Sequence, residues 1–200
     1  KKLWSDFILS VEPGFFYNNI HNKISLVQYD VNSLLYTYVN LDKFISKGVD
    51  FKTKLAHHQF TFQAGVSYTG TWGTFEGDVE QPNVAWYPEF TTSADYTIKK
   101  TRTTISVFWK MYGERPIFIA NADGSVDRIN NDAYKMMDVS IRQELIKNRL
   151  TLTGGLKNIY NVTNLSSLSG GGAHSGGSSS GTPVGMGTSV FTKLTFNFRG

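Results

Sequence analysis

Gln59 to Trp72 reads QFTFQAGVSYTGTW. Phe60, Phe62, Ala64, Val66, Tyr68 and Trp72 share one parity, and Thr61, Gln63, Ser67 and Thr69 take the other. Successive side chains of a strand point to opposite faces, so this run predicts a strand with one apolar and one polar face. The run is also long. Ordinary strands cluster near 5–6 residues, whereas a tilted strand crossing a bilayer needs about 9–11.

The same alternation recurs along the chain, and almost no helical period is found. Phe7 to Tyr17 is a first run, with Phe7, Leu9, Val11, Phe15 and Tyr17 on one face, and a short second run starts at Ile24. Leu35 to Leu55 is the least regular. Lys43 and Lys47 break into its apolar parity, and Gly48 suggests a bulge. Gln59 to Trp72 follows, then Glu89 to Ile98, Arg102 to Gly113, Ala133 to Leu145, Arg149 to Tyr160, and a final run ending in Val190, Leu194, Phe196 and Phe198. Nine strands are expected.

Short and long connections alternate. Ala56-His57-His58, Lys99-Lys100-Thr101 and Ile146-Lys147-Asn148 are tight. Asn18 to Lys23 reads as another turn. Gly73 to Pro88, Glu114 to Asp132 and Asn161 to Gly187 are long. Tight turns on one side and long loops on the other are the pattern of an outer-membrane barrel. If the tight turns face the periplasm, Trp4, Trp72, Trp86 and Trp109 fall near the opposite ends of their strands, where an aromatic girdle belongs. Charge on the lipid side costs about 2–4 kcal/mol for Lys or Arg at mid-bilayer. Asp95, Arg142, Glu144, Lys157 and Lys193 all take the polar parity. The alternative is a soluble β-sandwich, apolar inside and polar outside.

Composition narrows the function. Charged residues make up 18% of the 200, and the net charge of +4 is spread along the chain, without the basic block that grips nucleic acid. Cysteine is absent, so there are no disulfides and no thiolate metal sites. No apolar stretch is long enough for a transmembrane helix. No catalytic constellation emerges, so no enzyme, cofactor or metal site is expected. His57-His58 reads as a solvated turn. Asn121-Ala122-Asp123-Gly124-Ser125 lacks the later acidic ligands of a calcium loop and reads as a hairpin tip. Ser169 to Gly187, SGGGAHSGGSSSGTPVGMG, has no GxxxxGK[ST] and is expected to join the last two strands.

Four stretches resemble the TonB-dependent outer-membrane receptors, especially those of Bacteroidetes-type bacteria. Tyr38-Val39-Asn40-Leu41 through Ser46-Lys47-Gly48-Val49-Asp50 is similar to a strand of that family. FWKMYGERP (Phe108 to Pro116) resembles a strand end before a long outer loop. RLTLTGGLKNIYNV (Arg149 to Val162) resembles the penultimate strand with its "vKNLFN" ending. The glycine-rich loop and FTKLTFNF resemble the last loop and strand. Arg199-Gly200, after the terminal aromatic, depart from the pattern.

The resemblance implies an antiparallel transmembrane β-barrel segment, about nine strands of a barrel of about 22. Residues 1–200 would be the C-terminal portion of that barrel, with the plug domain outside this chain. It implies a bacterial outer-membrane location and active uptake of a scarce nutrient such as haem, cobalamin or a metal chelate. A passive porin or an adhesive barrel is the alternative. Implied partners are outer-membrane lipids, TonB through the plug, the barrel-assembly machinery, a small nutrient ligand and a surface lipoprotein; nucleic acid is not among them. Trp86, Arg115 and His174 are candidate ligand contacts in outer loops. Trp4, Trp72 and Trp109 are candidate girdle residues. Leu194, Phe196 and Phe198 form a candidate assembly signal.

Overall fold

Strands rich in β-branched and aromatic residues, each with one apolar edge row, satisfy their backbone groups only by pairing side by side. The computed structural model describes residues 2–4, 6–28, 36–75, 79–80, 83–120, 126–165, 167–168, 182–183 and 185–198. Eight long strands are β2 (Phe7–Gln28), β3 (Tyr36–His57), β4 (Phe60–Phe75), β6 (Ala85–Ile98), β7 (Thr103–Tyr112), β10 (Tyr134–Ile146), β11 (Leu150–Lys157) and β15 (Ser189–Phe196). The shorter ones are β1 (Lys2–Trp4), β5 (Val79–Glu80), β8 (Arg115–Ala120), β9 (Val126–Asn131), β12 (Asn164–Leu165), β13 (Ser167–Leu168) and β14 (Thr182–Pro183). No helix is present among the described residues.

The eight long strands form an antiparallel meander in the order β2-β3-β4-β6-β7-β10-β11-β15, which does not close on itself. One register row crosses all of them: Leu9, Leu55, Phe62, Ala94, Val107, Val139, Leu156 and Val190. Another row, on the opposite face, reads Thr97, Thr104, Arg142, Thr153 and Lys193. Along these rows the sheet has one predominantly apolar face and one predominantly polar face. Ser106 Oγ donates to Asp95 Oδ1 at 2.5 Å, so hydroxyls and carboxylates on the polar face satisfy one another. Many apolar side chains of that face are open to the surroundings: Phe15 is 83% exposed and Leu194 65%. Leu41 is the one apolar side chain fully buried among the described residues.

Three tight turns lie at one end, each with a left-handed residue: His58 (φ 52°), Arg102 (φ 57°) and Asn148 (φ 58°). The turns step down the sheet. Phe60, beside the first turn, pairs with Tyr96, two residues before the end of β6; Thr103 pairs with Gln143, three before the end of β10. That progressive stagger is the shear of a tilted barrel wall.

The structure departs from expectation over the first strands. Asn18 to Lys23 is not a turn. It lies inside β2, with Asn18 opposite Ser46, Ile20 opposite Phe44 and His21 opposite Lys43. The first two runs are thus one strand, leaving eight long strands rather than nine. Partners offered by β3 override the turn preference of the asparagines, and only Asn22 keeps a positive φ of 53°. Direction changes with it: β2 starts at the tight-turn end, where Phe7 faces His57. Gly48 pairs in regular register with Phe16 and Thr69, and the irregularity falls between Leu41 and Lys43 instead.

If the apolar face meets hydrocarbon, Val139→Arg should destabilise the protein folded in lipid vesicles by about 2–4 kcal/mol. Ser140→Arg, on the other face, should change it by under about 1 kcal/mol. Denaturant titration followed by tryptophan fluorescence reads both.

Candidate functional site

The polar face gathers charge and aromatic rings at the end opposite the tight turns. There the register sets Glu89 beside Tyr112, Thr91 beside Lys110, and Tyr112 beside Tyr134. The chain then turns back at Gly113, whose N–H donates to the Pro88 carbonyl at 2.8 Å. A Cβ at Gly113 would come within 2.5 Å of the Pro88 ring, so only glycine permits this approach. The turn brings Arg115 over the cluster.

Glu89 is held from two sides. Lys110 Nζ lies 3.2 Å from Oε2, and Arg115 donates to Oε1. The Arg115 guanidinium sits 4.6 Å from the Tyr112 ring centre and 5.4 Å from that of Tyr87, and Lys110 Nζ is 4.1 Å from the Tyr112 centre. Tyr112 and Tyr134 stack at 4.5 Å. Half-exposed ion pairs contribute about 0–1 kcal/mol each, but the rings also fix the plane of the guanidinium. The Arg115 Nε is buried without a hydrogen-bond partner among the described residues. Two cations around one carboxylate leave a net positive charge among three tyrosine rings. Such a site can hold an anionic or flat ligand, and it pairs no nucleophile with a base. No group of three or more His, Cys, Asp or Glu that could hold a metal ion occurs among the described residues.

Nearer the tight turns, the polar face has a groove of about 330 Å³ whose lining includes Glu12, Lys52, Lys54, Gln63, Ser93 and Phe108. Phe108 is exposed although it takes the polar parity.

A third feature fastens the last long loop. Asn158 is 3% exposed and has a φ of 52°. Its Nδ2 donates to the carbonyls of Val162 (2.8 Å) and Met186 (3.2 Å), and its Oδ1 accepts from Val162 N at 3.1 Å. Its own N–H donates to Asp138 Oδ1 at 2.8 Å, and its carbonyl accepts from Thr188 Oγ1 at 2.8 Å. Asn161 Oδ1 accepts from Thr188 N at 3.0 Å. Both feet of the loop are thereby tied to β10, and a Cβ at Gly187 would lie 2.4 Å from Asn161 Oδ1. Asparagine tolerates the left-handed region better than most residues, which suits it to this position.

Residues 2–174 match the outer membrane protein beta-barrel family. The chain belongs to this family. No curated protein sequence matches it. Among solved structures it is similar to the FrpB iron transporter from Neisseria meningitidis (F3-3 variant), with a TM-score of 0.67 and 14% identity. That match covers 96% of this chain and 29% of the transporter's chain, and likeness at such identity speaks to fold alone. The outer-membrane barrel family places the sheet in the bacterial outer membrane. Its apolar face meets lipid and its polar face lines the lumen; in barrels of this kind the end opposite the tight turns is the outer one.

The expected site residues are dispersed in this frame. Arg115 joins the lumen cluster. Trp86 is on the other face: it pairs with Gly70 on the lipid side and stacks on Tyr68 at 4.9 Å, so it shares no site with Arg115. His174 lies outside the described residues. Trp72 and Trp86 are each the twelfth residue counted from Phe60 and Ile98 beside the tight turns, whereas Trp109 is the sixth from Thr103. Trp109 therefore stands midway up the wall, apart from the other two. Trp4 pairs with Phe7 at the tight-turn end, because β2 runs the other way from expectation. Leu194 and Phe196 face outward opposite Leu152 and Leu150, and Phe198 meets Phe196 edge-on at 5.0 Å. Tyr87, Glu89, Lys110, Tyr112 and Tyr134 were not singled out in the sequence. Shared polar parity and equal distance from the turns would have found them.

Asn158→Ala should remove three hydrogen bonds at a buried position, a loss of about 1–3 kcal/mol. Amide exchange at residues 159–163 and 187–188 should rise about fivefold or more while strand amides stay protected. Glu89→Gln should raise exchange in β8 about fivefold, matching about 1 kcal/mol of lost pairing.

Proposed function

We propose that this chain forms the C-terminal sector of a TonB-dependent receptor of the Bacteroidetes type, a barrel of about 22 strands. The full protein would bind a scarce nutrient at its outer face and import it with energy delivered by TonB through a plug domain. The observation that carries this reading is the lumen cluster at the outer mouth. Arg115, Lys110 and the tyrosines Tyr87, Tyr112 and Tyr134 present positive charge and ring faces to the lumen, as recognition of an anionic metal chelate or a haem requires. A wall sector of this kind contributes no bond chemistry.

Uptake of labelled ferric chelates and haem by cells expressing the full-length protein tests it. Accumulation is expected to stop when a protonophore collapses the membrane potential or when the TonB system is deleted. Arg115→Ala combined with Tyr112→Ala should lower ligand affinity about tenfold or more with the barrel still inserted. Uptake that continues without energy, together with swelling of proteoliposomes in small sugars, would instead establish a passive porin.

A further inference from the structure

Lys43 and Lys47 are the cations that interrupt the apolar parity of β3, and neither is explained by transport through the lumen. We propose that, set between Trp72 and Trp86, they form a site for the phosphate group of an outer-leaflet lipid.

Their face and height come from the register. Lys47 pairs with Gly70 and Ile45 with Trp72, and Gly70 pairs in turn with Trp86. All share the parity of Val49, Phe51 and Leu55, so they point outward. A strand tilted by about 40° climbs about 2.5 Å per residue. Trp72 and Trp86 thus stand about 30 Å above the tight turns, with Lys47 slightly below and Lys43 slightly above. An apolar band about 25 Å tall ends just beneath them. Lysine stems can lie along the wall there with the ammonium at headgroup level.

The local geometry is that of a cleft. Lys43 Nζ lies 5.8 Å from the Trp72 ring centre, and Lys47 Nζ 5.9 Å from that of Trp86. The Trp86 indole lies against Gly70, where a Cβ would come within 2.8 Å of it. Lys43, Ile45, Lys47, Gly70 and Trp72 line a cleft of about 270 Å³, large enough for a phosphate and its ester oxygens.

Charge segregation points to the same partner. Glu12, Asp50, Glu89, Asp95, Asp138 and Glu144, the paired acidic residues of the long strands, all take the lumen parity, whereas Glu80 of β5 pairs with Thr74 in the outward row of Lys43. Outward at the upper level stand Lys43, Lys47 and the exposed Lys135, which pairs with Met111. A face on which three lysines outnumber the single carboxylate, Glu80, at headgroup height complements an anionic leaflet, and the indoles suit the same depth.

Native mass spectrometry of the full-length protein in detergent, titrated with lipid A and with enzymatically dephosphorylated lipid A, tests the assignment. Lipid A is expected to bind at least tenfold tighter than its dephosphorylated form. Lys43→Gln with Lys47→Gln should abolish that difference, while Lys52→Gln with Lys54→Gln, on the lumen side, should leave it unchanged. Heat-modifiable migration confirms that each variant is a folded barrel. Equal retention of lipid A by wild type and the Lys43/Lys47 variant overturns the proposal. Displacement of lipid A by millimolar inorganic phosphate also overturns it, since the site would then take a free anion.

Discussion

Hydrocarbon offers no hydrogen-bond partner, so a strand that crosses it must give each backbone N–H and C=O to a neighbouring strand. The rest of this structure depends on that ladder. Strands of 13 to 22 residues in β2, β3, β4, β6 and β10 are long because each crosses the membrane and continues beyond it. The row from Leu9 to Val190 is apolar across eight strands because that side meets lipid, and the adjoining rows are mostly polar because that side meets water. The stabilisation a soluble protein draws from a packed core comes here from the bilayer on one face and from cross-strand pairs on the other.

The two ends of the wall are built differently. At one end the chain reverses through His58, Arg102 and Asn148, each in a left-handed conformation, within a few residues. At the other it spends its length on loops. Two devices there keep the loops in place: Gly113 folds back tightly enough on Pro88 to deliver Arg115 to Glu89, and Asn158 ties both feet of the last loop to β10. Recognition chemistry on a rigid barrel is placed by such roots, while the loops above them vary.

Much of the architecture is legible along the chain. Parity in Gln59 to Trp72, and in the runs from Glu89 onward, identifies each strand and its faces, because side-chain direction in a strand depends only on odd or even position. The misread segment is instructive. Asn18 to Lys23 carries turn residues, yet β2 runs through its twenty-two residues without a break in direction, because β3 supplies a partner to each of them except Asn22. One false turn reversed the first strand and moved Trp4 from one end of the wall to the other. Trp109 failed for a related reason: the level of a residue depends on its distance from the turn of its own hairpin.

By itself, then, the sequence determined the period, the two faces and the alternation of tight and long connections. Those are local properties, set by residue type and by the twofold repeat of the strand. Only the tertiary structure decided which residues meet. Glu89, Lys110 and Arg115 lie on three successive segments, and Lys43 and Trp72 on adjacent strands, so their proximity is a matter of register. Register is settled by hydrogen bonds summed over whole strands and by the shear of the barrel wall, and neither is visible at any single position.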